Sequence, residues 1–551
     1  MVRDIIRLIR SFSQKERYLF YGASVVFSLA LLAAIVNGFY SNTIVQPATG
    51  GEYTEGVIGQ PVAVNPILAG TSEVDRDLVK TLFSDVISLA QNYSTSSTGK
   101  VWTVKLKQDL LWSDGEPLTS ADVVFTLNMI QDPDSGSPLA QAWQGITIDR
   151  ISDLEVRFTL KSPYAFFLDN LKNFYVAPAH VFDKVPAANL DLSDFNLQPV
   201  GSGPYKFVSY EKQKSGLVFA YRLERNPNFA GAPALIERLN FIFFSNYNDA
   251  FLAFNNKTID GLGGFDPATA DQLKINHKTT ELSLPRYYAV FFNSSNNPVL
   301  KDASTRRALD LAIDKEKLVA NILRSAGEAS RGPLSPFLEG YSSSTYANAV
   351  FSQQEAGALL QKNGWKKDDK GIYGRTVGKV QQTLQFELIV PNIPFLIATA
   401  NELQVDWAAL GAAVTVTVET PEEVQNQRIK SRNYDALLFG NVLRNSDLYS
   451  FWHSSQTRSP GLNLALYQNS KVDALLDSVR KNFSESKRSA DLKKIQELIY
   501  SDTPAVFLYS PYYLYGSPKN LGGFDTTFLL TPSDRFNHIG TWFLQTSRIF
   551  K

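Results

Sequence analysis

Side chains able to hold a metal or attack a substrate are scarce in this chain. Cysteine is absent, which removes thiolate metal sites, thiol nucleophiles, disulfides and lipid-anchoring cysteines together. The four histidines, His180, His277, His453 and His538, form no close pair, so direct metal ligation has little support; His453 beside Trp452 is the one of most interest. There is no H-E-x-x-H, P-loop or G-x-S-x-G segment, although a triad assembled in space would leave no such local mark. Aromatic surface is what the chain holds in quantity, with 36 Phe, 24 Tyr and 7 Trp. That stock serves a core, and it equally suits a large cleft that grips its ligand by stacking and apolar contact. Lys plus Arg and Asp plus Glu both number 54, so no global field attracts nucleic acid. The expected chemistry is binding, with no catalytic residue, metal or cofactor.

Such a cleft needs a scaffold, and the 551 residues allow about three or four domain-sized units. Residues 1–17 form a basic tail carrying Arg3, Arg7, Arg10, Lys15 and Arg17, with Ile5, Ile6, Leu8, Ile9 and Phe12 able to lie on an inner leaflet or simply to accompany a solvated tail. Residues 18–40 are uncharged, and a helix of that length spans a ~30 Å hydrocarbon layer. The positive-inside rule puts the N-terminus in the cytoplasm and residues after 40 outside. The apolar run exceeds the ~7–15 residues of a signal-peptide core and no small-x-small site follows, which favours an uncleaved anchor. Residues 41–52, SNTIVQPATGGE, are expected to be a tether.

The segment 102–130, WTVKLKQDLLWSDGEPLTSADVVFTLNMI, passes from a period-2 strand through the turn at Ser113-Asp114-Gly115 to a helix. Thr119 with Asp122 three residues on is a capping box. Helical spacing is also seen over 73–89, 248–254, 302–323 and 471–500, and strand patterns over 154–160, 239–244, 287–293 and 434–439. Residues 383–390, 394–410 (closed by Gly411) and 414–418 form a βαβ unit, which builds a parallel sheet.

These blocks resemble the bacterial solute-binding proteins that serve peptide and nickel ABC transporters. Beside the 102–130 segment stand Asn65-Pro66 and Pro199-Val200-Gly201-Ser202-Gly203-Pro204-Tyr205, similar to the family's P-V-G-T-G-P-Y. Arg225-Asn226-Pro227 with Phe229, Ile259-Asp260, the run Asn293, Asp302, Arg306, Arg307, Ala308, Ala312, Ile313, Asp314, and AGALLQKNGW at 356–365 follow in the family's order. The resemblance implies an α/β two-lobed, periplasmic-binding-protein-like clamshell with an extra subdomain on the first lobe, preceded by one transmembrane helix. Lobe one would combine 53–92, 196–285 and 511–551; the subdomain would be 93–195 and lobe two 286–510, with hinges near Pro285 and Ser510. It further implies capture of peptides or similar solutes, delivered to ABC permease subunits with their ATPases.

By the same resemblance the cleft would be lined by Arg286, Tyr288, Phe292 and Asn293 on an aromatic strand, by Asn441, Arg444, Asp447 and Trp452 in a loop region, and by Tyr509 and Tyr513 on a hinge strand. One departure stands out. Peptide binders carry Trp-x-x-Asp in that loop, the aspartate pairing with the ligand's amino terminus. Aligned on Asp447, this chain has Asn441 and Arg444 at those places, and a frame shifted by two puts Val442 at the aspartate's place; neither is acidic. Arg444 would favour a ligand carboxylate or other anion, or be an exposed arginine on a mobile loop. A receptor for a metal chelate on the same fold, and an extracytoplasmic hydrolase, are the alternative readings.

Overall fold

A computed structural model describes residues 11–70, 72–273 and 276–551; most of the basic tail, residues 1–10, lies outside them. Among the described residues the body is organised by two large sheets. The first has seven strands in the order His277–Leu282, Tyr513–Pro518, Gly261–Gly263, Glu52–Ile58, Arg238–Phe244, Val218–Arg225, Tyr205–Lys212. The second has six, in the order Gly327–Ala329, Ala505–Pro511, Arg286–Phe292, Ala436–Val442, Gln385–Pro391, Ala413–Glu419. A four-stranded antiparallel sheet, Ala90–Thr95, Val101–Leu106, Glu155–Thr159, Thr147–Ser152, shares one continuous apolar core with the first sheet. Its first strand straddles the boundary expected at 92/93.

Both faces of the six-stranded sheet are buried. Val290, Phe292, Leu388, Leu438 and Leu508 pack on one side, and Tyr287, Ala289, Phe291, Ile389, Leu437 and Phe507 on the other. Alternate residues of the same strands thus fill two different cores, which is why these strands are near-continuous apolar runs. Gln385–Pro391 and Ala413–Glu419 pair in parallel, joined by helix Pro394–Leu410, which Gly411 ends at φ 112°. This is the expected βαβ unit. The helical spacing over 302–323 is met by two helices, Ala303–Leu311, capped by Asp302, and Lys315–Ile322, capped by Asp314. Thr119 and Asp122 form the capping box of Ser120–Gln131.

Two stretches with helical spacing, the first expected as one helix, each divide in two. The 73–89 segment becomes Glu73–Leu82 and a short turn, Val86–Leu89, because Asp85 caps a new start by accepting from the Ile87 and Ser88 amides. The 471–500 segment becomes Ser470–Lys481 and Glu485–Asp502. The first break explains the glycines of the P-V-G-S-G-P-Y block. Gly203 donates its amide to the Leu82 carbonyl at 2.8 Å, and a Cβ at Gly201 would lie 1.9 Å from that same oxygen. Both clashing groups are backbone, so neither yields cheaply. Gly201→Ala is expected to lower stability by about 1–3 kcal/mol or more, checked by the urea midpoint at unchanged slope.

The N-terminal helix runs Gln14–Asn42, with Ser13 and Glu16 forming its capping box and no residue buried. It is long and apolar enough to cross a membrane. The segment 41–52 is not the free tether expected. Thr43–Ala48 pairs antiparallel with Gln545–Phe550 in a two-stranded ribbon, since Thr43, Ile44 and Val45 favour extended backbone and a distant partner strand is available. Pro47 and the glycines after it mask that signal in the sequence.

Candidate functional site

The chain crosses between the two large sheets where His277–Leu282 leads into Arg286–Phe292 and where Ala505–Pro511 leads into Tyr513–Pro518. A tight turn at Pro285 closes with the Arg286 amide donating to the Leu284 carbonyl at 2.8 Å, an inverse-γ spacing. The Leu443 amide donates to the Pro285 carbonyl at 2.7 Å, and the Ser510 hydroxyl to the Leu284 carbonyl at 3.2 Å. The two crossings are therefore tied to one another and to the end of strand Ala436–Val442.

Arg286 sits at this junction. Its Nε and Nη2 donate to the Pro511 carbonyl at 3.4 and 3.3 Å, linking the first crossing to the second. Among the described residues no carboxylate lies within ion-pair distance of its guanidinium. Burial pushes its pKa down, while Tyr288, Glu73 and Tyr513 act in the opposite direction. Glu73 opens helix Glu73–Leu82 of the first lobe, is exposed, and meets Arg76 only at 3.8 Å. Tyr513 lies against the backbone of Gly263, where a Cβ would fall 2.0 Å from its hydroxyl. Tyr288 covers Gly440, is edge-on to Phe395 at 5.2 Å, and is 5.8 Å from the ring of Tyr509. A half-buried guanidinium, with Nη1 unbonded among the described residues, and two tyrosines thus stand where the lobes meet, and the more distant Glu73 favours the cation. Such a set is suited to a ligand carrying a carboxylate, which two parallel N–H groups bind in a fork.

Arg286 pairs in register with Val442, and Arg444 follows two residues beyond. Arg444 is exposed, with no carboxylate of the described residues in ion-pair range. Of the ten expected site residues, Arg286, Tyr288 and Tyr513 stand together at this junction, and Arg444 is exposed beyond the end of its strand.

The other six are engaged elsewhere. Phe292 is in the core of the second lobe, 6.2 Å from the Phe386 ring. Trp452 is fully buried on the opposite side of that sheet among Phe291, Tyr467 and Phe507. Tyr509 is buried with its hydroxyl 2.6 Å from that of Thr399. Asn293 builds a turn, donating to the Arg432 carbonyl at 2.9 Å and accepting from the Ser295 amide at 3.0 Å. Asn441 is buried and donates to the Tyr287 hydroxyl at 2.8 Å. Because helices cover both faces of the six-stranded sheet, its aromatic strand residues are core rather than lining. His453 stacks on Tyr449 at 4.1 Å and bonds Ser455. Among the described residues no group of three or more His, Asp or Glu is placed to hold a metal.

Asp447 is a connector. It accepts from the Tyr164 hydroxyl at 3.0 Å and the Tyr449 amide at 3.1 Å, and pairs with Arg480 at 3.2 Å. Tyr164 belongs to the segment following the four-stranded sheet, so Asp447 ties that segment to the second lobe. The Ala165 amide donates to the Arg480 carbonyl at 2.7 Å, the Arg480 guanidinium is 5.3 Å from the Tyr164 ring and 4.4 Å from the Tyr449 ring, and Phe166 enters the second lobe's core. Sequence reasoning missed Tyr164, Arg480 and Glu73, and their only local signal was the helix start at Ser72–Glu73. Asp447→Ala is expected to weaken this contact by about 1–3 kcal/mol and to shift the ligand-free chain toward an open form. An increased radius of gyration in small-angle scattering would register it.

A cavity of about 610 Å³ elsewhere is lined by Lys80, Asp85, Lys172, Tyr175, Asp534 and His538 among others. None of the expected site residues reaches it, and its Lys80 is taken by Asp534 at 2.5 Å.

Two lobes joined by paired crossings are the architecture of a clamshell solute-binding fold. The profile of bacterial extracellular solute-binding proteins, family 5 Middle, matches residues 86–462. The oligopeptide-binding protein AppA of Bacillus subtilis (strain 168) is 26% identical over 529 residues, covering 91% of this chain and 95% of AppA. The structure of AppA in complex with a nonapeptide superposes with a TM-score of 0.68 at 25% identity, covering 91% of this chain and 100% of that one. The ABC transporter substrate binding protein CtaP of Listeria monocytogenes superposes with a TM-score of 0.76 at 24% identity, covering 90% and 99%. The chain belongs to the bacterial extracellular solute-binding proteins of family 5.

Proposed function

We propose that this protein is a membrane-tethered extracytoplasmic receptor that encloses peptides, or similar oligomeric solutes bearing a carboxylate, and passes them unaltered to an ABC permease with its ATPases. The observation that carries the reading is Arg286, a half-buried cation without a carboxylate partner among the described residues where the two lobes join. Extended peptides can be held through backbone hydrogen bonds with loose side-chain selectivity, and the oligopeptide-binding relative aligned over 91% of the chain supports that substrate class. On this reading lobe one comprises 53–92, 196–285 and 511–551, with 93–195 as its subdomain and 286–510 as lobe two. Closure is driven by a ligand that contacts both lobes. Helix Gln14–Asn42 stays attached as the anchor, raising the receptor's effective concentration near its permease. Full-length protein purified natively and analysed by mass spectrometry, with trace-metal analysis beside it, tests the assignment. Heterogeneous co-purified peptides are expected; stoichiometric metal would replace the peptide reading with a metal-chelate receptor, and turnover of a released substrate with a hydrolase.

A further inference from the structure

The ribbon joins the anchor helix to the body along two strands instead of one. At its body end, the Gly50 amide donates to the Leu235 carbonyl at 2.8 Å, and Gly522 and Phe543 exchange bonds at 2.9 and 3.0 Å. At its helix end, the Lys551 amide donates to the Asn42 carbonyl at 2.9 Å and the Lys551 ammonium to the Ser41 carbonyl at 2.8 Å. Phe550 meets Phe39 edge-on at 6.0 Å, and the Arg548 guanidinium lies 4.2 Å from the Tyr40 ring while bonding the Thr43 hydroxyl at 3.1 Å. The last turn of the helix is thus part of a folded joint with a strand some 500 positions away in sequence.

Polarity changes along this joint. Near the helix stand Phe550, opposite the buried Thr43, and the apolar pair Ile44 with Ile549; Val45 with Arg548 follows, and the pairs nearest the body, Gln46 with Ser547, Pro47 with Thr546 and Ala48 with Gln545, are mostly polar. The apolar members are exposed, Phe550 at 72%, Ile44 at 46% and Ile549 at 41%. They stand beside Phe39 and Tyr40 at the helix end, with Arg548 and Lys551 adding positive charge. An ammonium has three donors, and Lys551 uses one on Ser41. Exposed aliphatic and aromatic side chains next to a spanning helix, with cations among them and polar residues beyond, match the order of layers from acyl chain through phosphate headgroup to water.

Resting on the anchor reading above, we propose that the ribbon is a lipid-seated stalk. Its helix end lies in the headgroup–acyl boundary of the outward leaflet, with Ile44, Ile549 and Phe550 among the upper acyl carbons and Arg548 and Lys551 at the phosphates. A six-residue ribbon rises about 20 Å, so the stalk holds the body at a set height and orientation above the bilayer, where a single-strand tether would let it swing.

The absence of cysteine makes the test clean. Single variants Ile549→Cys, Phe550→Cys, Thr546→Cys and Leu31→Cys of the full chain, labelled with an environment-sensitive fluorophore, are reconstituted into vesicles of phosphatidylethanolamine and phosphatidylglycerol in equal parts. Phe550 is the more exposed of the two apical positions, so its label reports even where that at 549 disturbs the ribbon. The labels at 549 and 550 are expected to be quenched by a nitroxide lipid at least about threefold more than the label at 546, and to be shielded from aqueous iodide. If 549 and 550 behave like 546 while the label at 31 is lipid-quenched, the anchor stands and the lipid-seated stalk falls, leaving a protein partner as the occupant of that face. If the label at 31 also meets iodide freely, the anchor reading fails and the stalk with it.

Discussion

Replacing Arg535 by methionine is expected to cost about 3–5 kcal/mol of stability at neutral pH, the largest loss from any single substitution considered for the first lobe. Its guanidinium bonds Glu55 Oε1 from Nε and Nη2 at 3.1 and 3.0 Å, and Asp77 from Nη1 and Nη2 at 3.1 and 2.6 Å. All three side chains are buried. The Tyr515 hydroxyl donates to Glu55 Oε2 at 2.7 Å and contacts the Tyr53 hydroxyl at 2.8 Å. Burial disfavours the Arg535 charge, yet Asp77, Tyr513 and Glu55 hold its pKa well above the ordinary value. Without it, two carboxylates would share a dry site with no cation. The complementary change behaves differently. Burial pushes the Glu55 pKa up, against Arg535 and Tyr515. The folded state therefore binds the Glu55 proton more tightly than the unfolded state does. That contribution is complete below the ordinary glutamate range and is lost as pH rises through the raised value. Glu55→Gln keeps an acceptor for Arg535 and leaves a one-to-one pair with Asp77. It is expected to stay within about 1 kcal/mol of the parent at neutral pH and to flatten the stability profile above the glutamate range. Urea denaturation at several pH values checks both; equal losses for the two variants would refute the charge argument.

This network also marks where sequence reasoning stops. Arg535 lies 480 positions from Glu55 and 458 from Asp77, and no local pattern joins them. What was legible was local: the capping box at Thr119 and Asp122, the helical spacing over 302–323, and the βαβ unit closed by Gly411 each declare themselves within a short stretch. The family's order of blocks then supplied the two-lobed architecture that no single block could. Site residues were harder. Tyr287 and Tyr288 are adjacent on one strand, yet the pleat sends the first into one core and the second, half-buried, against Phe395 and Tyr509 at the edge of the other. An aromatic strand whose two faces are both covered looks the same in sequence as one lining a cleft, so Phe292 and Tyr509 were misplaced. Trp452 belongs to a short helix packed into the same core. Asp447, expected to touch ligand, bonds Tyr164 and Arg480, both supplied by distant segments.

Arg286→Ala is expected to weaken binding of a peptide with a free carboxylate by about 2–5 kcal/mol, roughly 30-fold to several thousandfold in Kd. Desolvation is the cause: the guanidinium is already half-buried, its charged form disfavoured by burial and favoured by Tyr288, Glu73 and Tyr513. A carboxylate entering the junction would meet donors that have lost water and gained only the Pro511 carbonyl. Arg444 is exposed, so the same truncation there should cost only about 1 kcal/mol, with the loss shrinking further at high salt. Arg286 also links the two crossings, and a purely mechanical role must be separated from a binding one. Binding of a peptide recovered with the protein, measured by calorimetry in free-acid and C-terminally amidated forms, makes the separation. If Arg286 binds the carboxylate, the parent prefers the free acid and Arg286→Ala abolishes most of that preference. Arg286→Lys should restore part of it, because a point charge replaces a fork. If Arg286 only stitches the hinge, both peptides lose affinity equally and the preference survives in the variant. In that case the anion site lies elsewhere, with Arg444 the next position to vary.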